Sequence, residues 1–165
     1  MVIQRKPMTP IGYMKLKAEL QELREVKIPA NVRAIEEARA HGDLSENAEY
    51  KYAKEQQGFI RGRETELSGL LAVAEVIDPA SLSGDRIMFG ATVRLMDLDN
   101  DAEVTYTLVG ENESEVVKGR ISITSPIARG LIGRNAGDEV SIVTPKGPRV
   151  FEVVDVQFLP CDSWT

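Results

Sequence analysis

Asp43 and Glu46 stand three residues apart in the run His41-Gly42-Asp43-Leu44-Ser45-Glu46-Asn47-Ala48-Glu49-Tyr50. Two carboxylates at that spacing, at the start of a helix, can face one small cation together. They cannot saturate it: Mg²⁺ prefers six oxygen ligands and commonly takes one or two carboxylates, leaving the rest to waters and substrate phosphates. The pair therefore reads as half of a site, completed by a partner. The same residues also satisfy a purely structural rule. Asp43 as N-cap, with Glu46 three positions on, fits a capping box, and acid in a first turn suits the helix dipole. Ser45 is an alternative N-cap, which would leave Asp43 in the turn with both carboxylates facing outward.

The elements on either side decide where this pair is held. From Ile11 to Ala40 the pattern is helical, with Leu16, Leu20 and Leu23 in one stripe and Val32, Ile35 and Ala38 resuming it. Glu, Lys, Arg, Ala and Gln fill the remainder. Pro29 interrupts the run and predicts a kink there or a full break into two helices. Gly42 can end a helix with φ > 0. Helix formers resume from Glu46 to Ile77, with a thin apolar stripe at Tyr52, Phe59, Leu67, Leu70, Ala74 and Ile77. Gly58, Gly62 and Gly69 break that stripe, either admitting a neighbouring backbone or weakening the helix. Two helices of about 30 residues joined by a short turn must run antiparallel, and at 1.5 Å per residue the hairpin is on the order of 45 Å long. A narrow stripe with charge elsewhere suits a two-helix coiled coil. The acid pair sits at its tip.

Beyond Asp78-Pro79 and a linker from Ser81 to Asp85 the period changes to two. Val93 and Leu95 alternate with polar neighbours, Asp97 to Asp101 turns, and Val104, Tyr106 and Leu108 alternate again. Val140 and Ile142 mark another strand, 145–148 a turn, and Val150 to Phe158 a last strand. Ser125 as N-cap, Pro126 at the first position and Gly133 at the end predict one short helix. The fold class is α+β: an N-terminal antiparallel two-helix coiled coil (1–78, tip at 41–49), then a small, mainly antiparallel β domain with a short helix (85–158) and a tail (159–165).

Composition narrows the function. Of 165 residues 42% are hydrophobic and 28% charged, which excludes wholesale disorder, and no run of apolar residues is long enough to span a membrane. The net charge is −6, and all of the excess acid falls in residues 78–165. Such a chain is a poor general binder of nucleic acid, so any contact with it must be local or made in company with another protein. The single cysteine, Cys161, excludes an internal disulfide and fits a reducing cytosol, and no apolar h-region follows the basic residues near the N-terminus. His41, the only histidine, lacks the further N or S ligands a zinc site needs and reads as a helix-end residue. No phosphate-binding glycine loop, nucleophile elbow or Ser/His/Asp set is present.

The tip run 42–50, followed by Glu55-Gln56-Gln57, resembles the signature of the Gre family of bacterial transcript-cleavage factors. Phe89-Gly90-Ala91-Thr92-Val93 and the run from Ser125 to Gly133 resemble that family's C-terminal domain in the same order, so the resemblance covers roughly Met8 to Phe158. It implies an FKBP-like second domain, although the aromatic pocket that proline isomerisation needs is not evident. It also implies a cytoplasmic, monomeric accessory factor that is not an enzyme on its own. Family members insert the coiled coil into the secondary channel of a backtracked RNA polymerase. Their tip acids help hold a second Mg²⁺ at the polymerase active centre, and the polymerase cuts its own extruded transcript. Carried across, the acids are Asp43 and Glu46, with their individual roles open. Arg39 and Lys54 resemble the family's basic patch for the nascent RNA 3′ end, against the plainer reading of a solvated charged face among Glu36, Glu37, Glu49 and Glu55. Ser125 and Pro126 resemble the surface that docks polymerase, while also being an ordinary cap and first-turn proline. The alternative is a channel-occupying regulator of polymerase that does not promote cleavage. The tail, with Cys161 and Trp164, is expected to be a flexible end.

Overall fold

The computed structural model describes residues 4–42 and 47–161. The chain divides into two compact units, one made of residues 14–73 and the other of 1–13 with 74–165. The sequence expectation of a boundary near residue 78 thus shifts at both ends.

The first unit is the helical hairpin. Its ascending limb comprises α1 (Pro10–Glu22, whose first residues belong to the other unit), a π-helical turn (Leu23–Lys27) and α2 (Ile28–Ala40); α3 (Ala48–Ala72) descends. The helical run is unbroken at Pro29. The preceding turn widens so that Ile28 N–H donates to the carbonyl of Leu23, five residues back. A proline lacks the donor and clashes with the carbonyl four residues before it, and a π-turn relieves both. Leu20, Leu23 and Leu67 form the buried seam, with Leu16, Ile60 and Leu71 against it, and Ile35, Ala38 and Ala53 are buried nearer the tip. One polar group enters that seam: Asn31 donates its amide to the carbonyl of Ala53 at 2.9 Å. A methyl group at Gly58, Gly62 or Gly69 would meet open space. These glycines therefore admit no neighbour and simply weaken the helix.

Charged side chains cross the hairpin. The guanidinium of Arg63 binds both oxygens of Glu19 at 2.7 and 2.9 Å, and Arg24 bonds Glu64 at 3.0 Å. The hydrogen bonds from Arg63 hold the Glu19 carboxyl below its ordinary value. A carboxyl depressed in the folded state contributes stability above its unfolded pKa of about 4.3 and loses it as pH falls through the folded value. Hairpin helicity is therefore expected to melt earlier as pH drops from 6 towards 3. Glu19→Gln should flatten that dependence in a pH series of thermal melts. An unchanged slope would show that this pair is not responsible.

The second unit holds a five-stranded sheet in the order β5-β4-β3-β7-β6. Its strands are β3 (Thr92–Asp97), β4 (Glu103–Val109), β5 (Arg120–Ser122), β6 (Glu139–Thr144) and β7 (Gly147–Gln157). The pairing is antiparallel except between β4 and β5. Val93 and Leu95 of β3 face Tyr106 and Val104 of β4, and Val156 and Val153 of β7, across a bulge. Their buried face packs with Leu108, Ile121, Val140 and Ile142 beneath α4 (Pro126–Leu131), which contributes Ala128 and Leu131. Period-two alternation predicted four of these strands; β5 is too short to show it.

The helix expected to run to Ile77 ends at Ala72. The chain then forms β2 (Ala74–Val76), parallel to β1 (Lys6–Met8), because the extended backbone finds donors and acceptors in the N-terminal segment. Two carboxylates hold that segment: Lys6 pairs with Glu111 at 3.0 Å, and Glu113 clamps Thr9. Glu113 accepts from Thr9 N–H at 3.1 Å, from the Thr9 hydroxyl, and from Gly110 N–H at 2.9 Å, while Thr9 Oγ1 caps α1 through Gly12 N–H at 3.2 Å. A methyl group on Gly12 would collide with that carboxylate. Thr9 is 0% exposed. Removing its acceptor in Glu113→Ala strands buried donors and should cost about 1–3 kcal/mol. A lowered urea midpoint at unchanged slope would report the loss, and an unchanged midpoint would count against the clamp. Cys161 is buried, so the tail packs down at least that far, as a small hydrophobic residue favours. Trp164 lies outside the described residues.

Candidate functional site

The last turn of α2 and the first of α3 set the frame of the tip. His41 closes α2 with its N–H on Ala38 O at 3.2 Å, and Gly42 follows at φ 109° with its N–H on Arg39 O at 3.4 Å. Glycine reaches that conformation without the Cβ penalty, which matches the expected stop. Asp43, Ser45 and Glu46 fall on 43–46, outside the described residues. The N-cap of α3 is Asn47: its Oδ1 accepts from Tyr50 N–H at 3.0 Å, and its carbonyl takes Lys51 N–H at 3.1 Å. Asn47 thus holds the cap expected of Asp43 or Ser45. It is among the best capping residues and stands directly before the first helical position. The sequence carried that signal, and the nearby Asp and Ser obscured it.

Asn47 does a second thing. Its Nδ2 donates to Ala38 O at 2.7 Å, so one amide bonds to the backbone at both helix ends. Arg39 places its guanidinium carbon 5.9 Å from the Tyr50 ring centroid, within cation–π range, and His41 Nδ1 lies 3.8 Å from Glu49 Oε2. Below these contacts a cavity of about 380 Å³ opens between the helices, lined by residues including Asn31, Ala38, His41, Tyr52 and Gln56.

Arg39 and Lys54 are both exposed, on the last turn of α2 and the second turn of α3. Each is engaged locally, Arg39 with Tyr50 and Lys54 through a 2.8 Å bond from its ammonium to Gln57 Oε1. Ser125 is the N-cap of α4 as expected, with its Oγ accepting from Ala128 N–H at 3.2 Å and donating to Ser122 O at 2.7 Å; Pro126 follows, exposed, at the first position. The cap explains both residues structurally and leaves the outer face of Pro126 free for another role.

The described residues contain no helix long and apolar enough to cross a membrane. A two-helix hairpin and a separate α+β unit with a five-stranded sheet define the class of protein. Comparison with known proteins gives that class a family. The family described as "Transcription elongation factor, N-terminal" matches residues 6–76, and "Transcription elongation factor, GreA/GreB, C-term" matches 82–158. The transcription elongation factor GreA of Acidiphilium cryptum is 53% identical over 94% of this chain and 99% of its own, and that of Hyphomonas neptunium 52% over the same shares. Among solved structures, the GreA factor homolog 1 protein of Thermus thermophilus aligns over 93% of this chain and 99% of its own at 28% identity and a TM-score of 0.43. The chain belongs to the GreA/GreB family of transcription elongation factors.

Proposed function

We propose that this elongation factor stimulates the Mg²⁺-dependent cleavage of backtracked transcripts by RNA polymerase, delivering Asp43 and Glu46 to the polymerase active centre at the tip of its hairpin. The observation that carries the reading is the cap: α3 starts on Asn47, which relieves the two acids of the structural duty that best explained them. What supports it further is membership of a family whose relatives are named elongation factors at about half identity across nearly the whole chain.

The donor chemistry fits the cation. Two carboxylates are hard oxygen ligands of the number Mg²⁺ usually takes from protein, and an ion held by Asp43 and Glu46 would need its remaining ligands from outside this chain. Bound there, Mg²⁺ supplies charge neutralisation for the attacking and leaving oxygens. The chain's own contribution is to present the two carboxylates together and to orient an incoming water by accepting its hydrogen bond. Arg39 and Lys54 lie on the same end of the hairpin, where their charge favours the extruded RNA 3′ end. Ser125 and Pro126 offer the second unit's contact with polymerase. The factor acts as a monomer in the cytoplasm and carries no nuclease of its own.

The test is to add the purified protein to stalled, backtracked complexes with Mg²⁺ and follow RNA length. Prompt release of short 3′ fragments supports the reading. Binding to polymerase without cleavage above background would replace it with that of a channel-occupying regulator.

A further inference from the structure

The side chain of Asn47 ties together the backbone on either side of 43–46. Ala38 O, near the end of α2, receives Asn47 Nδ2–H at 2.7 Å as well as His41 N–H at 3.2 Å. Asn47 Oδ1 meanwhile takes Tyr50 N–H at 3.0 Å. A primary amide carries its donor and its acceptor on two separate atoms, so it can reach one helix end with Nδ2 and the other with Oδ1. Serine and aspartate cap as well as asparagine does, but a carboxylate has no donor and a serine hydroxyl holds donor and acceptor on one atom of a shorter side chain. Capping alone therefore leaves half of this side chain's contacts unexplained. The Arg39–Tyr50 and His41–Glu49 contacts bridge the same gap, but both are exposed and one is long, so neither replaces the amide.

We infer that Asn47 is a positioning residue for cleavage stimulation: its amide fixes the span between Ala38 and Tyr50 across which the segment bearing Asp43 and Glu46 must close. The inference rests on the proposed role of that acid pair. A carboxylate pair that shares a cation with a partner loses effectiveness when its spacing drifts, and losing an outer contact that orients a metal ligand typically costs 10- to 100-fold.

The decisive variant is Asn47→Ser, which keeps an acceptor for Tyr50 N–H, adds no charge and is too short to reach Ala38. Asn47→Ala, which loses both contacts, and Asp43→Asn run beside it. For each, far-UV melting, competition with wild type for polymerase, and cleavage across a Mg²⁺ titration are measured. Asn47→Ser is expected to melt and compete like wild type, yet to cleave about tenfold more slowly, with half-maximal rate displaced to higher Mg²⁺. Asn47→Ala should show that defect together with a lowered melting point. If Asn47→Ser matches wild type in rate and Mg²⁺ dependence while Asp43→Asn is inactive, the positioning role is wrong and the acid-pair reading stands. If Asp43→Asn is also fully active, both fall. A cleavage loss that merely tracks lost helicity, with no change in Mg²⁺ dependence, would likewise reduce Asn47 to a cap.

Discussion

Asp43→Asn and Glu46→Gln are each expected to lower stimulated transcript cleavage by at least about 10²-fold, with melting and polymerase binding as in wild type. The size follows from the charge removed. A ligand that helps neutralise transition-state oxygens through Mg²⁺ is worth several kcal/mol, and each 1.36 kcal/mol is about tenfold in rate. The amide variants keep shape and polarity but lose the anionic oxygen, so the effect isolates charge from packing. Stability should hardly change, because Asn47 and not either acid caps α3. That separation gives the experiment its force: a capping residue lost would cost about 1 kcal/mol of helix stability and no particular activity. A melting point that drops while cleavage persists would return the acids to a structural role. Raising Mg²⁺ should recover part of the activity in whichever variant retains the tighter ligand, which also divides the two roles.

The second large effect lies in the hairpin seam. Leu67→Ala should destabilise that unit by about 2–5 kcal/mol, the usual range for a leucine truncated in a site that cannot collapse. Leu67 is 0% exposed and packs with Leu20 and Leu23, while the next residues in the seam, Leu16, Ile60 and Leu71, are only partly buried. A two-helix object has few other sources of stability, so a cavity at its centre removes a large share of the total. The sheet unit has its own core around Val93, Leu95, Leu108 and Val153 and should keep its strand signal as helicity melts away. Leu67→Met conserves volume and should cost less than about 1.5 kcal/mol. Coincident melting of both variants with wild type, followed by far-UV circular dichroism, would mean the seam does not hold the hairpin.

How far such features could be read from sequence depended on how many residues carry them. The limbs of the hairpin declare themselves through Leu16, Leu20, Leu23 and Leu67, because a long seam repeats its spacing several times. β3, β4, β6 and β7 show alternation for the same reason. β1, β2 and β5 have three residues each, too few for any period, and the pairing of β1 with β2 joins segments far apart in the chain. Ala74 and Ile77 even continue the apolar spacing of α3, so only the partner at Lys6–Met8 reveals that the helix has stopped. Glu113 looks like any acid in a loop until Thr9 arrives beside it. At the tip, Asp43 and Glu46 lie outside the described residues, and a shared-cation role for them was raised by residue types and spacing. They did not disclose which of several good caps would win, since that choice turns on backbone position and on a bond to Ala38 from across the gap.

The widened turn at Leu23–Lys27 has a consequence for the phase of the seam. Counting inward positions along the ascending limb gives 16, 20 and 23, then 28, 31, 35 and 38, with one step of five among steps of three and four. The π-turn is thus a frameshift in the apolar repeat, absorbed within a single turn. Losing one residue between 24 and 27 would turn the step of five into four and keep both halves of the stripe in phase, but would bring back the clash of Pro29 with the carbonyl four residues before it. Losing one elsewhere in the limb would swing everything beyond it by about 100° around the axis. A one-residue deletion therefore disturbs the phase of the seam least at that turn and most on either side of it.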